Sequence, residues 1–284
     1  MSVDLRELRC LVAIADEGSF TDAAIELGMS QATVSRTLAS LEATLGSRLV
    51  RRTTRSSELT DAGERAVRHA RRILASVDEL ERDVSSGDGI VRLGYAWSAL
   101  GKHTVGFLRE WATRHPLVDM QLVRSNTPTA GLAEGLASLA IVRRAPDPRE
   151  YDVVLVGLER RYCALASDDP LASRRSLTLA QVATRPLAID SRTGSTVLDL
   201  WAPTEVPTHV IETHDIEDWL VLIGSGRAVG MTAEATVHQY RRPGIVYRLV
   251  RDAPSIAVYL AWTRGDAPRE RDAVIELLAE LYRT

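Results

Sequence analysis

The sequence of 284 residues predicts an α/β protein in three parts. These are an N-terminal winged helix-turn-helix over 1–59, a long linker helix over 60–88 and a C-terminal α/β domain over 89–284. Three observations carry the reading. Two short helical segments meet at a glycine and run into a basic hairpin. The stretch from Thr60 to about Ser86 has no proline and no glycine after Gly63. Beyond "SSGDG", apolar runs such as "IVRLGYA", "VVLVGL", "PLAID" and "SIAVYLAW" alternate with helical stretches.

Composition bounds the function classes. A hydrophobic content of 45% suits a sizeable core, and no apolar run approaches the roughly 18 residues that would span a bilayer. The start "MSVDLRELRC" lacks a basic region followed by an apolar stretch, so a cytoplasmic location without membrane attachment is expected. Cys10 and Cys163 supply neither a disulfide framework nor metal-ligand spacing, and no cofactor or metal is expected. With a net charge of -3, binding to nucleic acid must come from a local patch.

Such a patch lies at the N-terminus. Thr21 is the expected N-cap of a helix that turns Ala23, Ala24 and Leu27 inward, and Gly28 suits a left-handed C-terminal position. Ser30 then caps a second helix whose Val34, Leu38, Leu41 and Leu45 form an apolar stripe. Gln31, Ala32, Thr33, Ser35 and Arg36 start that helix, most of them on its other flank. In a helix-turn-helix the second helix enters the major groove by this end. There Gln pairs with adenine, Arg with guanine, Ser with either, and Ala touches the thymine methyl. Between Met29 and Glu58, five arginines face two glutamates, a local balance of +3. The run "RLVRRTTRSSELT" reads as a small β-wing with a basic tip, suited to phosphates or the minor groove.

In the linker, Ala66, Ala70, Ile73, Val77, Leu80 and Val84 are spaced as a heptad seam with charged flanks. A helix of about 25 residues is roughly 37 Å long, more than one small domain needs. Dimerisation is the expectation, and with it a DNA target of two half-sites related by a two-fold axis.

The segment "LRELRCLVAIADEGSFTDAAIELGMSQATVSRTLASLEATLGSRLVRRTTRSSELTDAG" resembles the N-terminus of LysR-type transcriptional regulators along nearly its whole length. The resemblance continues through the linker helix to the C-terminus. It implies phosphate contacts from Ser19 and Thr21, base-edge contacts from the start of the second helix, and wing contacts from Arg52 and Arg55. It also implies a homodimer, a dimer of dimers, and a two-lobed effector-binding domain like a periplasmic binding protein. Lobe I would be about 89–161 plus 264–284, and lobe II about 162–263. Four positions depart from the family pattern: Ala32, where proline is usual; Val50, where phenylalanine is usual; Ser138, in place of an aspartate; and Ala233, in place of a proline.

In open α/β sheets, ligands bind beyond the carboxyl ends of strands, where helix N-termini offer free N–H groups. The strand ends bring Trp97 and Ser98 to the start of a helix, and Ser125, Asn126 and Thr127 ahead of the next. From the other lobe come Ser191, Arg192, Thr193 and Ser195 after "PLAID", and Thr232 after a short strand. Each alone is also what an ordinary N-cap offers; their convergence on one cleft is the argument. Hydroxyls, amides and Arg192 suit an anionic or strongly polar small molecule.

Three other functions fit the sequence less well. No nucleophile elbow, metal helix or phosphate loop marks an enzyme, and Asp215 beside His214 reads as a helix-start acid. A redox switch within the C-terminal domain would need a second cysteine beside Cys163, while Cys10 belongs to the apolar face of the first helix. A purely architectural DNA-binding protein would not need so large a C-terminal domain.

Overall fold

The computed structural model describes residues 3–52, 57–86 and 89–283. The chain divides into two compact units, one running to Gly89 and including Ala133–Leu136, the other made of Ile90–Leu132 and the chain from Ala137 on.

The first unit opens with α1 (Leu5–Glu17), started by a capping box between Asp4 and Glu7. The second helix, α2, is Phe20–Glu26, and its N-cap is Ser19 rather than the expected Thr21. The Ser19 hydroxyl accepts the Asp22 N–H at 3.0 Å and donates to the Asp22 carboxylate at 2.6 Å. An acid three residues on thus favours Ser19, and Thr21 sits exposed in the first turn of the helix. Gly28 takes φ +62°, the left-handed turn expected of it, and Ser30 caps α3 (Gln31–Leu45). Val34, Leu38 and Leu41 are buried with Leu8, Leu11 and Ile14 of α1, whereas Leu45 is exposed. Cys10 lies in the same core and donates its thiol proton to the Val34 carbonyl.

Strands β1 (Val50–Arg52) and β2 (Ser57–Leu59) pair antiparallel as the base of the expected wing. Helix α4 (Asp61–Ser86) follows at once. Gly63 allows it to leave close beside the wing, because a Cβ there would lie 2.0 Å from the Leu49 carbonyl oxygen. Val67 and Ala70 of α4 close the core, but Ile73 and Leu80 are 45% and 62% exposed. The side chain of Val84, the last seam position, lies outside the described residues.

The second unit has two lobes. In the first, a five-stranded sheet runs in the order β4 (Val118–Arg124), β3 (Gly89–Tyr95), β5 (Leu139–Val142), β13 (Ile256–Thr263), β6 (Tyr151–Glu159). Phe107 and Trp111 of α5 (Thr104–Arg114) pack against this sheet with Val274, Leu277 and Leu278 of α9 (Arg271–Tyr282). The second lobe has a six-stranded sheet. Its order is β10 (Val210–Glu212), β9 (Leu187–Ile189), β11 (Val229–Ala233), β7 (Arg161–Ala166), β12 (Ile245–Val250), β8 (Ser176–Leu177). Helices α6 (Leu179–Ala183), α7 (Ile216–Gly224) and α8 (Glu234–Gln239) belong to this lobe.

The chain crosses between lobes twice, from β6 into β7 and from β12 into β13. The second crossing corrects the expected division. Ile256–Thr263, placed by sequence in the second lobe, pairs with β5 and β6 of the first. Its alternation looks alike in either sheet; only the pairing partners decide.

Candidate functional site

In the first unit, Gln31, Ala32 and Arg36 are exposed at the start of α3, with Thr33 and Ser35 half-buried beside them. The Thr33 hydroxyl is engaged with that of Ser30 at 2.8 Å, and the Arg36 Nε reaches the Ala32 carbonyl at 3.4 Å. Ser19 spends its hydroxyl on the α2 cap, and Thr21 is the exposed one of the two. Arg52 ends β1, paired with Ser57; Arg55 lies outside the described residues.

Two residues that the sequence reading did not single out hold the wing. Glu42 of α3 accepts the N–H groups of Leu49 and Val50 on one carboxylate oxygen, at 2.7 and 3.2 Å. Ser57 donates both its N–H and its hydroxyl to the Gly18 carbonyl. The base of the wing is thereby tied to α3 and to the end of α1. Glu42 was legible in principle as an acid on the helix flank facing the next strand.

Between the lobes of the second unit lies a cleft of about 400 Å³. It is lined by Trp97, Ser98, Thr127, Ser191, Arg192, Thr193, Ser195 and Thr232, together with Arg143, Arg144, Asp190 and Trp219. Ser125 and Asn126 stand outside the lining. Asn126 instead bridges the lobes, accepting the Thr193 hydroxyl proton at 3.0 Å and donating to the His214 carbonyl.

Three local expectations change. Trp97 and Ser98 precede a 3-10 turn (Gly101–His103) rather than starting a helix. The segment after Thr127 is a series of turns, and within it Ala130 takes φ +51°. Thr232 lies inside β11, not after it. Asp215 does cap α7, accepting the Asp218 N–H at 2.9 Å.

Asp190 organises one wall. Its oxygens accept the Arg192 and Thr193 N–H groups and the Trp97 indole N–H and share the Thr193 hydroxyl proton with Asn126, at 2.8–3.1 Å. The indole bond comes from the opposite lobe. Trp97 also packs edge-on against Trp219, ring centroids 5.3 Å apart, and its carbonyl accepts the Tyr240 hydroxyl. Arg144 and Arg192 reach only the carbonyls of Ser191 and His214, and neither pairs with a carboxylate among the described residues.

Beneath the cleft Arg143 pairs with Glu159, which also accepts the Tyr282 hydroxyl and the Ala235 N–H of the second lobe. Burial opposes charge on Glu159, but Arg143 outweighs it and holds the carboxyl below its ordinary range. Cys163 is fully buried and burial pushes its thiol well up, while Cys10 is raised to about 11. Neither is a ready thiolate.

A DNA-reading head and a two-lobed ligand cleft on one chain define the class of ligand-responsive transcriptional regulators. Comparison with known proteins gives the family. Residues 5–64 match the family described as "Bacterial regulatory helix-turn-helix protein, lysR family", and residues 85–283 match "LysR substrate binding domain". The chain belongs to the LysR family: it is a DNA-binding transcriptional regulator that takes a small-molecule effector in its C-terminal domain, and not an enzyme.

Among its relatives, the HTH-type transcriptional regulator ShiR of Corynebacterium glutamicum is 29% identical over 99% of this chain and 100% of its own length. YnfL of Escherichia coli, an HTH-type transcriptional regulator, is 32% identical over 70% of each chain. The crystal structure of CbnR, a LysR family transcriptional regulator, is similar in fold with a TM-score of 0.69 at 22% identity, covering 99% of this chain and 98% of that one. CbnR complexed with its target DNA gives 0.66 at the same identity, with 99% of each chain covered. No helix among the described residues is long and apolar enough to cross a membrane.

Proposed function

We propose that the start of α3 reads base edges through Gln31, Ala32, Thr33, Ser35 and Arg36, while Ser19, Thr21, Arg52 and Arg55 serve the phosphates and the wing. The observation that carries this is the exposure of Gln31, Ala32 and Arg36 on a helix whose other face is locked into the core. Ile73 and Leu80, exposed on α4, suit a homodimer that presents two such helices to two-fold related half-sites, with a dimer of dimers as the larger assembly. The effector binds in the cleft between the lobes, against Trp97, Ser98, Thr127, Ser191, Arg192, Thr193 and Thr232. Ser125 and Asn126 act from behind that lining. Two arginines on the lining without carboxylate partners among the described residues, Arg144 and Arg192, favour an anionic or strongly polar effector.

Titration against DNA from immediately upstream of its own gene, and against a scrambled sequence, tests the reading. Arg36→Ala is expected to cost about 1–3 kcal/mol on the specific site and far less on the scrambled one. Equal losses on both would make Arg36 a phosphate contact and sink the assignment.

A further inference from the structure

We propose that Asn126 is the outer clasp of a cleft that the chain holds closed with its own side chains, and that this clasp must open before a ligand enters. The clasp acts alike whichever ligand the cleft takes.

Two side chains of the first lobe, just beyond the ends of the neighbouring strands β3 and β4, straddle the second-lobe turn Asp190–Thr193. On one side the Trp97 indole N–H donates to Asp190 Oδ2 at 3.1 Å, and the Tyr240 hydroxyl holds the Trp97 carbonyl at 2.9 Å. Asn126 stands on the other side. Its Oδ1 lies 3.0 Å from the Thr193 hydroxyl, whose proton is shared with Asp190 Oδ2 at 2.8 Å, and its Nδ2 donates to the His214 carbonyl. One amide thus gives its oxygen to a donor and its nitrogen to an acceptor, both on the opposite lobe. Asn126 is not on the cleft lining, so it is a positioning residue that sets the gap between the walls.

Its place in the sheet gives these bonds leverage. The chain crosses between lobes at β6 and β13, neighbours at one edge of the first sheet, and β4 is the opposite edge. With strands about 4.8 Å apart, β4 stands roughly 14 Å from β13 and β5 roughly 5 Å. A rotation of about 10° pivoting at the crossings carries the end of β4 through about 2.4 Å and that of β5 through less than about 1 Å. Such a movement breaks the Asn126 bonds and spares the Arg143–Glu159 pair beside the crossings. A ligand that binds only the open form has its apparent affinity lowered by the fraction of chains that are open. Asn126 therefore tunes that affinity from outside the site.

Thiol access reads the opening. Thr232 lines the cleft at 4% exposure, while Cys163 of the same lobe is fully buried off the lining. In the full chain carrying Thr232→Cys, iodoacetamide should modify position 232 slowly and leave Cys163 untouched, each site read by mass spectrometry. Asn126→Ala should speed the reaction at 232 about threefold to tenfold for each bond lost, with Cys163 still untouched. Trp97→Phe, which keeps a ring beside Trp219 and loses the indole donor, should speed it as well. Gln121→Ala, at an exposed position of β4, should change nothing. If Trp97→Phe fails to fold, Asn126→Ala, a change at a half-buried loop residue, carries the test. The clasp is overturned if Asn126→Ala leaves the rate at 232 as it was, or if position 232 reacts as fast before that change as it does in urea. It is also overturned if Cys163 becomes reactive together with position 232, because the variant then loosens the whole lobe instead of parting the walls.

Discussion

Arg143 grips Glu159 with two parallel bonds, Nε to Oε2 at 3.1 Å and Nη2 to Oε1 at 2.8 Å, and the same guanidinium donates to the carbonyls of Ser98 and Ala99. The pair joins the end of β5 to the end of β6, where the chain leaves the first lobe. Glu159 also accepts the Ala235 N–H of α8, so one carboxylate ties the first-lobe loop at Ser98 to the second lobe. Removing one partner of a buried pair strands the other charge, at a cost of about 3–5 kcal/mol. Arg143→Met should therefore lower stability by that order, measured by urea unfolding, and more than Arg149→Met at an exposed pair. Equal losses would show that the buried pair holds nothing together.

The same pair sets an acid limit. Glu159 in the folded chain binds its proton more weakly than its ordinary value of 4.5. The unfolded chain therefore takes up the proton first as pH falls. The stability from the pair is complete above about pH 4.5 and is lost as pH drops through the lower folded value. Glu159→Gln should be less stable than the wild type at pH 7, with the gap closing in acid; a gap constant from pH 7 to pH 3 would contradict this.

Glu42 anchors the wing to α3 through Leu49 and Val50. Glu42→Ala should weaken DNA binding and reduce its salt dependence, because the wing no longer delivers its arginines to the phosphates. Glu42→Gln, which keeps an oxygen acceptor, should restore most of both. A salt slope unchanged in Glu42→Ala would mean that the wing reaches DNA without this anchor.

Exposed Ile73 and Leu80 on α4 carry the expected dimer seam. Replacing both with Glu should shift sedimentation from dimer toward monomer while circular dichroism is retained. It should also abolish preference for paired over single half-sites. An unchanged sedimentation profile would assign dimerisation to another surface.

Cys163, at 0% exposure, should resist iodoacetamide in the native protein and react once unfolded in urea. Rapid native labelling would revive a redox role for this residue.

Much of the first unit is legible in sequence because its determinants are local. Ser30 bonding to the Thr33 N–H, the left-handed Gly28 and the apolar stripe of α3 each involve residues within a turn or two of one another. Even the misplaced cap is a local matter: Ser19 and Thr21 are both good cap residues, and Asp22 settles the choice. The ligand cleft was legible only as a set of strand ends. Trp97, Ser98, Thr127, Ser191, Arg192, Thr193 and Thr232 do line it, but Ser125 and Asn126 do not, because Asn126 is spent on bonds to Thr193 and His214.

By itself the sequence determined the helix pair, the hairpin, the long helix with its apolar seam and the alternation of strands and helices. These follow from capping, periodicity and breaks within a few residues. Only the tertiary structure decided that Ile256–Thr263 returns to the first sheet, that Arg143 finds Glu159, and that buried Arg161 reaches the carbonyls of Ser195 and Pro254. Those outcomes depend on which distant segments hydrogen-bond to one another, and residue types along a single strand do not encode that.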